Sequence, residues 1–255
     1  MTMITTLDHG PIRELRLSRP PANALNPELI AALGEAVTGA PAEGARALVL
    51  SSALGMFSAG LDVPSLIRLD RAAIRDTWEA LYRLMYSLAA SPVPVVAAIP
   101  GHSPAGGAVL ALYCDYRVMA DGPFKIGLNE VQVGIPLPVA ILRALVRLVG
   151  PHPAERLAVS GQLITAEEAF RIGFVDELAP ADQVVPRALE WCRGVLALPP
   201  KAMAHTRQCA RADLVRIVEE GLAIELNAVV DVWFSEETQQ ALHALVERLA
   251  AKKKG

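Results

Sequence analysis

One acidic residue, Glu130, has surroundings that are unusual for a carboxylate. It lies in the stretch KIGLNEVQVGIP (residues 125–136), among Ile, Leu and Val and between two glycines. Glutamate is rarely buried without a partner, and loss of water raises the pKa of a carboxyl group. A buried Glu130 would therefore suit general-base chemistry near neutral pH. The alternative, from this stretch alone, is a glutamate exposed on a turn.

A second segment, GHSPAGG at residues 101–107, has small residues that let a reacting group approach the backbone. It lies between a β-like run and the apolar run 108–114, an order typical of a strand, a glycine loop and a helix start. Free N–H groups converge at such a start and attract negative charge. The spacings of a P-loop and of a dinucleotide fingerprint are both absent. We therefore interpret the loop as a site for negative charge that develops during a reaction.

A third segment, FSAGLD at residues 57–62, follows another β-like run, and its small residues again allow close approach. The alternative is a plain strand-to-helix turn. Nearby polar residues have structural interpretations: Asp62 supports its loop, His102 is a loop histidine, and Asp115 makes backbone or ion-pair contacts. We find no His, Asp or Glu cluster with the spacing of a metal site.

The elements that would position these segments alternate up to about residue 130. Strands are predicted at 12–17, 47–50, 93–99 and 115–119, and helices start at Asn26-Pro27 and near residue 71. The run at 93–99 lacks polar alternation, which predicts a strand buried on both faces. After residue 137 the pattern is helical, and the predicted helices are 139–149, 153–159, 166–172, 184–196, 201–210, 214–230 and 236–249. The sequence predicts an α/β core followed by helices.

The composition excludes several classes of protein. The 255 residues are 53% hydrophobic and 20% charged, which is a composition typical of globular proteins. The net charge of −3 argues against a nucleic-acid or membrane-surface role. Three cysteines cannot form a disulfide framework, and residues 1–6 lack the features of a secretory signal. We expect a cytoplasmic protein.

Taken together, the three segments resemble the crotonase (enoyl-CoA hydratase/isomerase) superfamily, from about Leu17 onward. The stretches FSAGLD (57–62), PAGG (104–107), CDYR (114–117) and GLNE (127–130) are most similar to its mitochondrial-type 3,2-trans-enoyl-CoA isomerases. The resemblance implies the crotonase fold, a spiral of ββα units with a helical C-terminal region. It divides the chain into a core at 1–195 and a helical region at 196–255 that takes part in self-association, as a trimer or dimer of trimers.

The resemblance also implies roles for the residues. The backbone N–H groups of Leu61 and Gly106 would form an oxyanion hole for the thioester carbonyl, and Glu130 corresponds to the catalytic glutamate. Residues that would contact the coenzyme A part of an acyl-CoA substrate are Ala59, Gly60, Leu61, Asp62, Val63 and Gly106. No separate cofactor, metal, nucleic acid or membrane is expected.

The reaction must be decided by side chains, because one oxyanion hole serves several chemistries. Hydratases of this superfamily use a second glutamate two residues beyond the last glycine of the loop, and that position is Val109. One carboxylate suffices to move a double bond, so we expect a 3,2-trans-enoyl-CoA (dodecenoyl-CoA) delta-isomerase of fatty-acid β-oxidation. Apolar Val109, Val131 and Ile135 are expected to exclude water. The alternatives are hydration, hydrolysis or decarboxylation of an acyl-CoA, or a non-catalytic member that binds acyl-CoA or RNA.

Overall fold

The computed structural model describes residues 3–252, and it confirms an α/β core followed by helices. The strands are β1 (Ile4–His9), β2 (Ile12–Leu17), β3 (Ala47–Ser52), β4 (Val95–Ile99), β5 (Ser103–Pro104), β6 (Tyr116–Ala120), β7 (Lys125–Gly127), β8 (Ile164–Thr165) and β9 (Glu177–Ala179). The helices are α1 (Pro27–Gly39), α2 (Val63–Leu66), α3 (Arg71–Ala90), α4 (Gly106–Leu112), α5 (Val139–Val149), α6 (Pro151–Ser160), α7 (Ala166–Arg171), α8 (Val184–Leu196), α9 (Pro200–Ile224), α10 (Leu226–Trp233) and α11 (Glu236–Lys252).

The strands form two sheets. The larger has the order β1-β2-β3-β4-β6-β9, in which only the β1–β2 pair is antiparallel, and the smaller has the order β5-β7-β8. From β4 onward the chain moves repeatedly between the two sheets: β4 is followed by β5, β6 is followed by β7 and β8, and the chain returns to the larger sheet at β9. This order agrees with the spiral of ββα units that the resemblance to the crotonase superfamily implies.

Strand β4 lies at the centre of the larger sheet, and all five of its residues are buried. Val95, Ala97 and Ile99 belong to the main core with α1 and α3, whereas Val96 and Ala98 face a smaller core formed with α8. The missing polar alternation is therefore explained by two apolar faces, as predicted.

The prediction of separate helices at 201–210 and 214–230 is wrong. Helix α9 runs without interruption from Pro200 to Ile224, and the break lies at Glu225, before α10. Residues 211–213 lie in the middle of this helix, and Arg211 is buried, with 7% of its surface exposed. Its side chain has a structural task inside the protein.

That task is to bind the ends of two other helices. The Arg211 guanidinium donates to the carbonyls of Leu88 and Ala89 in the last turn of α3, and to those of Tyr113 and Cys114 just after α4. The last carbonyls of a helix have no partner within the helix, and a cation there is stabilising. Arg211 therefore anchors α9 to α3 and α4.

Asp115 completes this junction. Its carboxylate accepts from the backbone N–H of Val95 at 2.8 Å and pairs with Arg207 at 2.7 Å and Arg211 at 3.3 Å. This confirms the predicted backbone and ion-pair contacts. The buried carboxylate ties the start of β4 to α9.

Other boundaries shift by a few residues, and β1 is a strand that the sequence pattern did not reveal. Within residues 3–252, no helix is long and apolar enough to cross a bilayer. Helix α9 packs on α3 and α5 in the same protomer. The division at 195/196, and self-association through 196–255, stay predictions.

The Arg211 junction generates a prediction about stability. Arg211→Met is expected to lower the free energy of unfolding by about 2–3 kcal/mol, because buried carbonyls lose their donor and Asp115 loses a partner. The control is Arg143→Met, which removes an exposed ion pair between α5 and Glu220 of α9. That pair should contribute less than about 1 kcal/mol. Equal losses in urea unfolding would contradict the prediction.

Candidate active site

Glu130 begins a short 3-10 turn, Glu130–Val133, which follows β7. The turn ends at Gly134, whose φ of 73° lies in the left-handed region that glycine adopts readily. The N–H of Ile135 then donates to the carbonyl of Glu130 at 3.1 Å. These local bonds determine the direction of the Glu130 side chain.

The carboxylate end of Glu130 points into the protein. Its Oε2 atom is buried and has no hydrogen-bond partner. Burial raises the pKa of Glu130 from its ordinary 4.5 to about 7, and its own backbone N–H opposes this only partly. An exposed glutamate on a turn is thereby excluded. Such a carboxylate is poised to exchange a proton near neutral pH.

The expected water-excluding role of Val131 is wrong. Val131 is 39% exposed, whereas Ile135 is 5% exposed and belongs to the main core. Successive side chains of a 3-10 turn point about a third of a revolution apart, so Val131 faces outward when Glu130 faces inward. Val109 is 2% exposed on α4, so no second carboxylate stands at that position.

The end of the segment 57–62 is bound through its backbone to Leu25. Leu25 donates to the Gly60 carbonyl at 2.7 Å, and Asp62 donates to the Leu25 carbonyl at 3.0 Å. Leu61 lies between these two bonds, in a parallel bridge with Leu25. In such a bridge the N–H of the middle residue points to the opposite side. The Leu61 N–H is therefore directed away from Leu25.

The start of α4 supplies a second free N–H group. Gly106 is the first residue of this helix, so its N–H has no intrahelical acceptor. Ala105 before it adopts φ 47° and ψ −121°, a conformation that residues with a side chain rarely adopt. Such strain costs about 1–3 kcal/mol and is typical of functional sites.

Gly60 lies directly against this helix start. A Cβ atom on Gly60 would come within 2.7 Å of the Ala105 Cβ and 3.0 Å of the Gly106 nitrogen, and its φ is 85°. Only glycine permits both the backbone conformation and the approach. The two segments with free N–H groups are therefore adjacent.

The third segment joins them through the smaller sheet. Ser103 pairs with Ile126 and Pro104 with Gly127, and the N–H of Ala105 donates to the Gly127 carbonyl at 2.8 Å. The glycine loop thus runs beside the strand that leads into Glu130. The structure brings together all three segments that the sequence singled out.

The remaining predicted residues occupy supporting positions. Asp62 pairs with Arg19 at 2.6 Å, and Arg19 also donates to the Ala24 carbonyl, so Asp62 supports its loop. The N–H of Ala59 donates to the Ala22 carbonyl, and Val63 begins α2 with 6% exposure. These positions leave the predicted coenzyme A contacts of residues 59–63 untested.

His102 also has a structural role, since its Nδ1 accepts from the Lys125 N–H at 3.1 Å and its ring packs edge-on against Phe124. No group of three or more His, Cys, Asp or Glu residues within 3–252 could hold a metal ion. The sequence patterns missed Arg19, because it lies 43 positions before Asp62. They also missed the strain at Ala105, because an alanine gives no indication of a strained backbone conformation.

A cavity of about 640 Å³ lies apart from these residues, between α3 and α9. Arg207 and Arg211 line it, but the first is bound to Asp115 and the Ser91 carbonyl, and the second to Asp115 and the helix ends. Neither of these two guanidiniums is free to bind an anion. The cavity therefore adds nothing to the candidate site.

The raised pKa of Glu130 predicts a pH-dependent gain in stability for Glu130→Gln. Below about pH 4.5 the wild-type carboxyl is neutral in both states, so the two proteins should differ little. Between about pH 4.5 and 7 the unfolded chain releases this proton while the folded protein keeps it, so wild type loses stability as the pH rises, and above about pH 7 it must bury the charge. The variant should then be more stable by about 2–3 kcal/mol at alkaline pH. A difference in unfolding free energy that is constant with pH would contradict this.

Known proteins are similar to this chain in both sequence and fold. Enoyl-CoA delta isomerase 1, mitochondrial, of Mus musculus is 33% identical over 98% of the chain and 88% of its own length. A "probable enoyl-CoA hydratase" of Mycobacterium tuberculosis is 34% identical over 86% of the chain and 84% of its own length. The crystal structure of human mitochondrial delta3-delta2-enoyl-CoA isomerase superimposes with a TM-score of 0.93, at 32% identity, and covers 99% of this chain and 100% of that one.

The sequence profile of the family described as enoyl-CoA hydratase/isomerase matches residues 9–255. This match spans the α/β core and the C-terminal helices, and it includes all three segments of the candidate site. The crotonase fold inferred from the sequence is thereby confirmed. The chain belongs to the enoyl-CoA hydratase/isomerase family.

Proposed function

We propose that this protein isomerises 3-enoyl-CoA to trans-2-enoyl-CoA, with Glu130 as the only proton carrier. The observation that carries the proposal is an unpartnered carboxylate atom: Oε2 of Glu130 is buried without a hydrogen-bond partner, and the position of a hydratase's second glutamate is the buried Val109. A pKa of about 7 lets the same group accept and return a proton.

The reaction needs two proton transfers on one face of the substrate. Glu130 as a carboxylate removes a proton from C2 of the 3-enoyl thioester, and the electron pair spreads over a dienolate to the thioester oxygen. The carboxylic acid so formed delivers the proton to C4, and the double bond then lies between C2 and C3. General acid–base action of this kind contributes about 10²–10⁴-fold.

The dienolate oxygen needs donors that are already in place. The N–H groups of Leu61 and Gly106 are suited to this role. The Leu61 N–H points away from Leu25, and the Gly106 N–H has no acceptor within α4. Gly60 brings the two segments together. Loss of one such donor typically costs about 3–4 kcal/mol of transition-state stabilisation. The strained Ala105 supports this role, since it orients the first N–H of α4.

The substrate class follows from the family. We expect residues 59–63 and Gly106 to contact the coenzyme A part of the acyl-CoA, which is substrate rather than a resident cofactor. The mitochondrial isomerases among the relatives support a place in fatty-acid β-oxidation. Assembly as a trimer or dimer of trimers, and the cytoplasmic location, stay proposals.

Hydration is the second candidate, because a mycobacterial relative of similar identity is named as a probable hydratase. Adding water requires a group to activate it and a group to hold it. Val109 can do neither, and the structure offers no replacement carboxylate at that position of α4. The lone carboxylate favours isomerisation over hydration.

The proposal predicts the behaviour of Glu130→Gln on 3-enoyl-CoA. The variant should bind the thioester but lose isomerisation by about 10²-fold or more, because an amide cannot accept the proton. Formation of the conjugated 2-enoyl thioester is followed by its ultraviolet absorbance. The control is Glu35→Gln, which removes the same charge from an exposed position on α1, and it should keep wild-type turnover.

The wild-type activity should also depend on pH in a defined direction. Since the base must be charged, kcat/KM should fall as pH drops through about 7. Full activity of Glu130→Gln would remove Glu130 from the mechanism. Conversion of trans-2-enoyl-CoA to a 3-hydroxyacyl-CoA, release of free coenzyme A, or release of carbon dioxide would each favour a different reaction of the family.

A further inference from the structure

The C-terminal helix α11 packs directly on the turn that carries Glu130. It contacts both the turn and α2, the short helix that follows Leu61. Leu242 is fully buried in the main core and anchors the helix there. The last helix of the chain thus reaches the surroundings of the catalytic carboxylate.

One hydrogen bond joins α11 to the turn. The hydroxyl of Thr238, 1% exposed, donates to the carbonyl of Gly134 at 2.6 Å. The hydroxyl of Ser235 lies 3.1 Å from that of Thr238 and also accepts from the Thr238 N–H. The Thr238 side chain is therefore held in one orientation, with its donor directed at the end of the turn.

The packing around this bond is close. A Cβ atom on Gly134 would lie 3.0 Å from the Ala241 Cβ and 3.3 Å from the Thr238 Cα. The backbone of Gly134 therefore touches the first turns of α11 with no side chain between them. A movement of the helix would displace the turn.

The other side of the turn is held as well. The side-chain amide of Gln132 donates to the Gly161 carbonyl at 2.8 Å, just after α6. Among the described residues no other side chain bonds the Glu130 carboxylate: its Oε2 atom has no partner, and the one hydrogen bond that lowers its pKa comes from its own backbone N–H. Its placement therefore depends on the backbone of the turn, which is bound at Gln132 on one side and at Gly134 on the other.

We propose that Thr238 is a positioning residue: through its bond to Gly134, α11 holds the turn so that the Glu130 carboxylate points at the substrate. The inference rests on the proposed function and deepens it, by making the C-terminal helix part of the site of its own protomer. A displacement of about 1 Å can cost about 100-fold in rate. Thr238 does not touch the reacting atoms.

Charged neighbours do not account for the state of Glu130. The causes of its raised pKa are burial and its own backbone N–H, and no charged side chain is among them. On the two helices packed against the turn, the titratable groups whose side chains the structure describes do not contribute to the shift: His152, Glu155 and Arg156 on α6, and Glu236, Glu237, His243, Glu247 and Arg248 on α11. Loosening the turn should therefore change the pKa of Glu130 by letting water reach its carboxyl group.

The test compares Thr238→Val with Thr238→Ser. Valine keeps the shape and removes the donor, so kcat should fall about tenfold or more while KM changes little. Water reaching Glu130 should also move the acid limb of the kcat profile to lower pH. Serine keeps the donor and should restore both the rate and the profile. If Thr238→Val does not fold, Thr238→Ala removes the same donor without a branched apolar group.

The matched control is Thr165→Val. The Thr165 hydroxyl caps α7 by accepting from the Glu168 N–H at 3.2 Å, so its bond is to a different element from the turn Glu130–Val133. This variant should lose thermal stability as Thr238→Val does, yet keep the wild-type kcat and pH profile. Equal kinetic effects in both valine variants, or wild-type kinetics in Thr238→Val, would overturn the proposal.

A measurement that needs no turnover separates this inference from the proposed function. With ¹³C-labelled glutamate, the carboxyl signal that is missing in Glu130→Gln should titrate near pH 7 in wild type. It should titrate lower in Thr238→Val by about half a unit or more, and be unchanged in Thr165→Val. If wild type lacks isomerase activity but this shift occurs, the proposed function fails and the positioning role stands. If wild type is an active isomerase and the shift is absent, the positioning role fails.

Discussion

A carboxylate that is withdrawn from water and bonded by no other residue must be held in place by its own backbone. Glu130 meets this condition, because its Oε2 atom is buried and unpartnered. Its charged form is therefore disfavoured, which brings its pKa to about 7. A hydrogen-bond donor or a cation added to orient the side chain would lower that pKa again. The backbone elements that position Glu130 are the strand β7, the 3-10 turn and Gly134.

The two candidate oxyanion donors depend on a comparable constraint. Backbone N–H groups can serve a reacting oxygen only if secondary structure leaves them unused, as at Leu61 and at the first residue of α4. Ala105 holds a strained conformation where the helix begins, and Arg211 binds carbonyls just beyond the helix end. The short helix is thus fixed at both ends, so the rigidity of the site extends into α9.

Much of this arrangement could be predicted from local patterns. The apolar run of β4, the glycines at the start of α4 and the solitary Glu130 are signals carried by neighbouring residues, and each led to the correct element. The continuity of α9 through Arg211 was missed, because the carbonyls that its guanidinium binds lie about 100 positions away. Arg19 and Asp62, or Thr238 and Gly134, are likewise pairs that only the folded chain brings together. The outward direction of Val131 follows from a 3-10 turn that apolarity alone does not reveal.

The location of Thr238 within α11 has a consequence for local unfolding. Helix ends fray first, and fraying proceeds inward from the end. Thr238 lies in the first turn of a helix that continues to Lys252, so about 20 Å of helix separates it from that end. The bond to Gly134 also closes a loop of 104 residues, and it is backed by the buried Leu242 one turn further on. Opening of the last turns can therefore occur without reaching the catalytic turn, which shares the stability of the core.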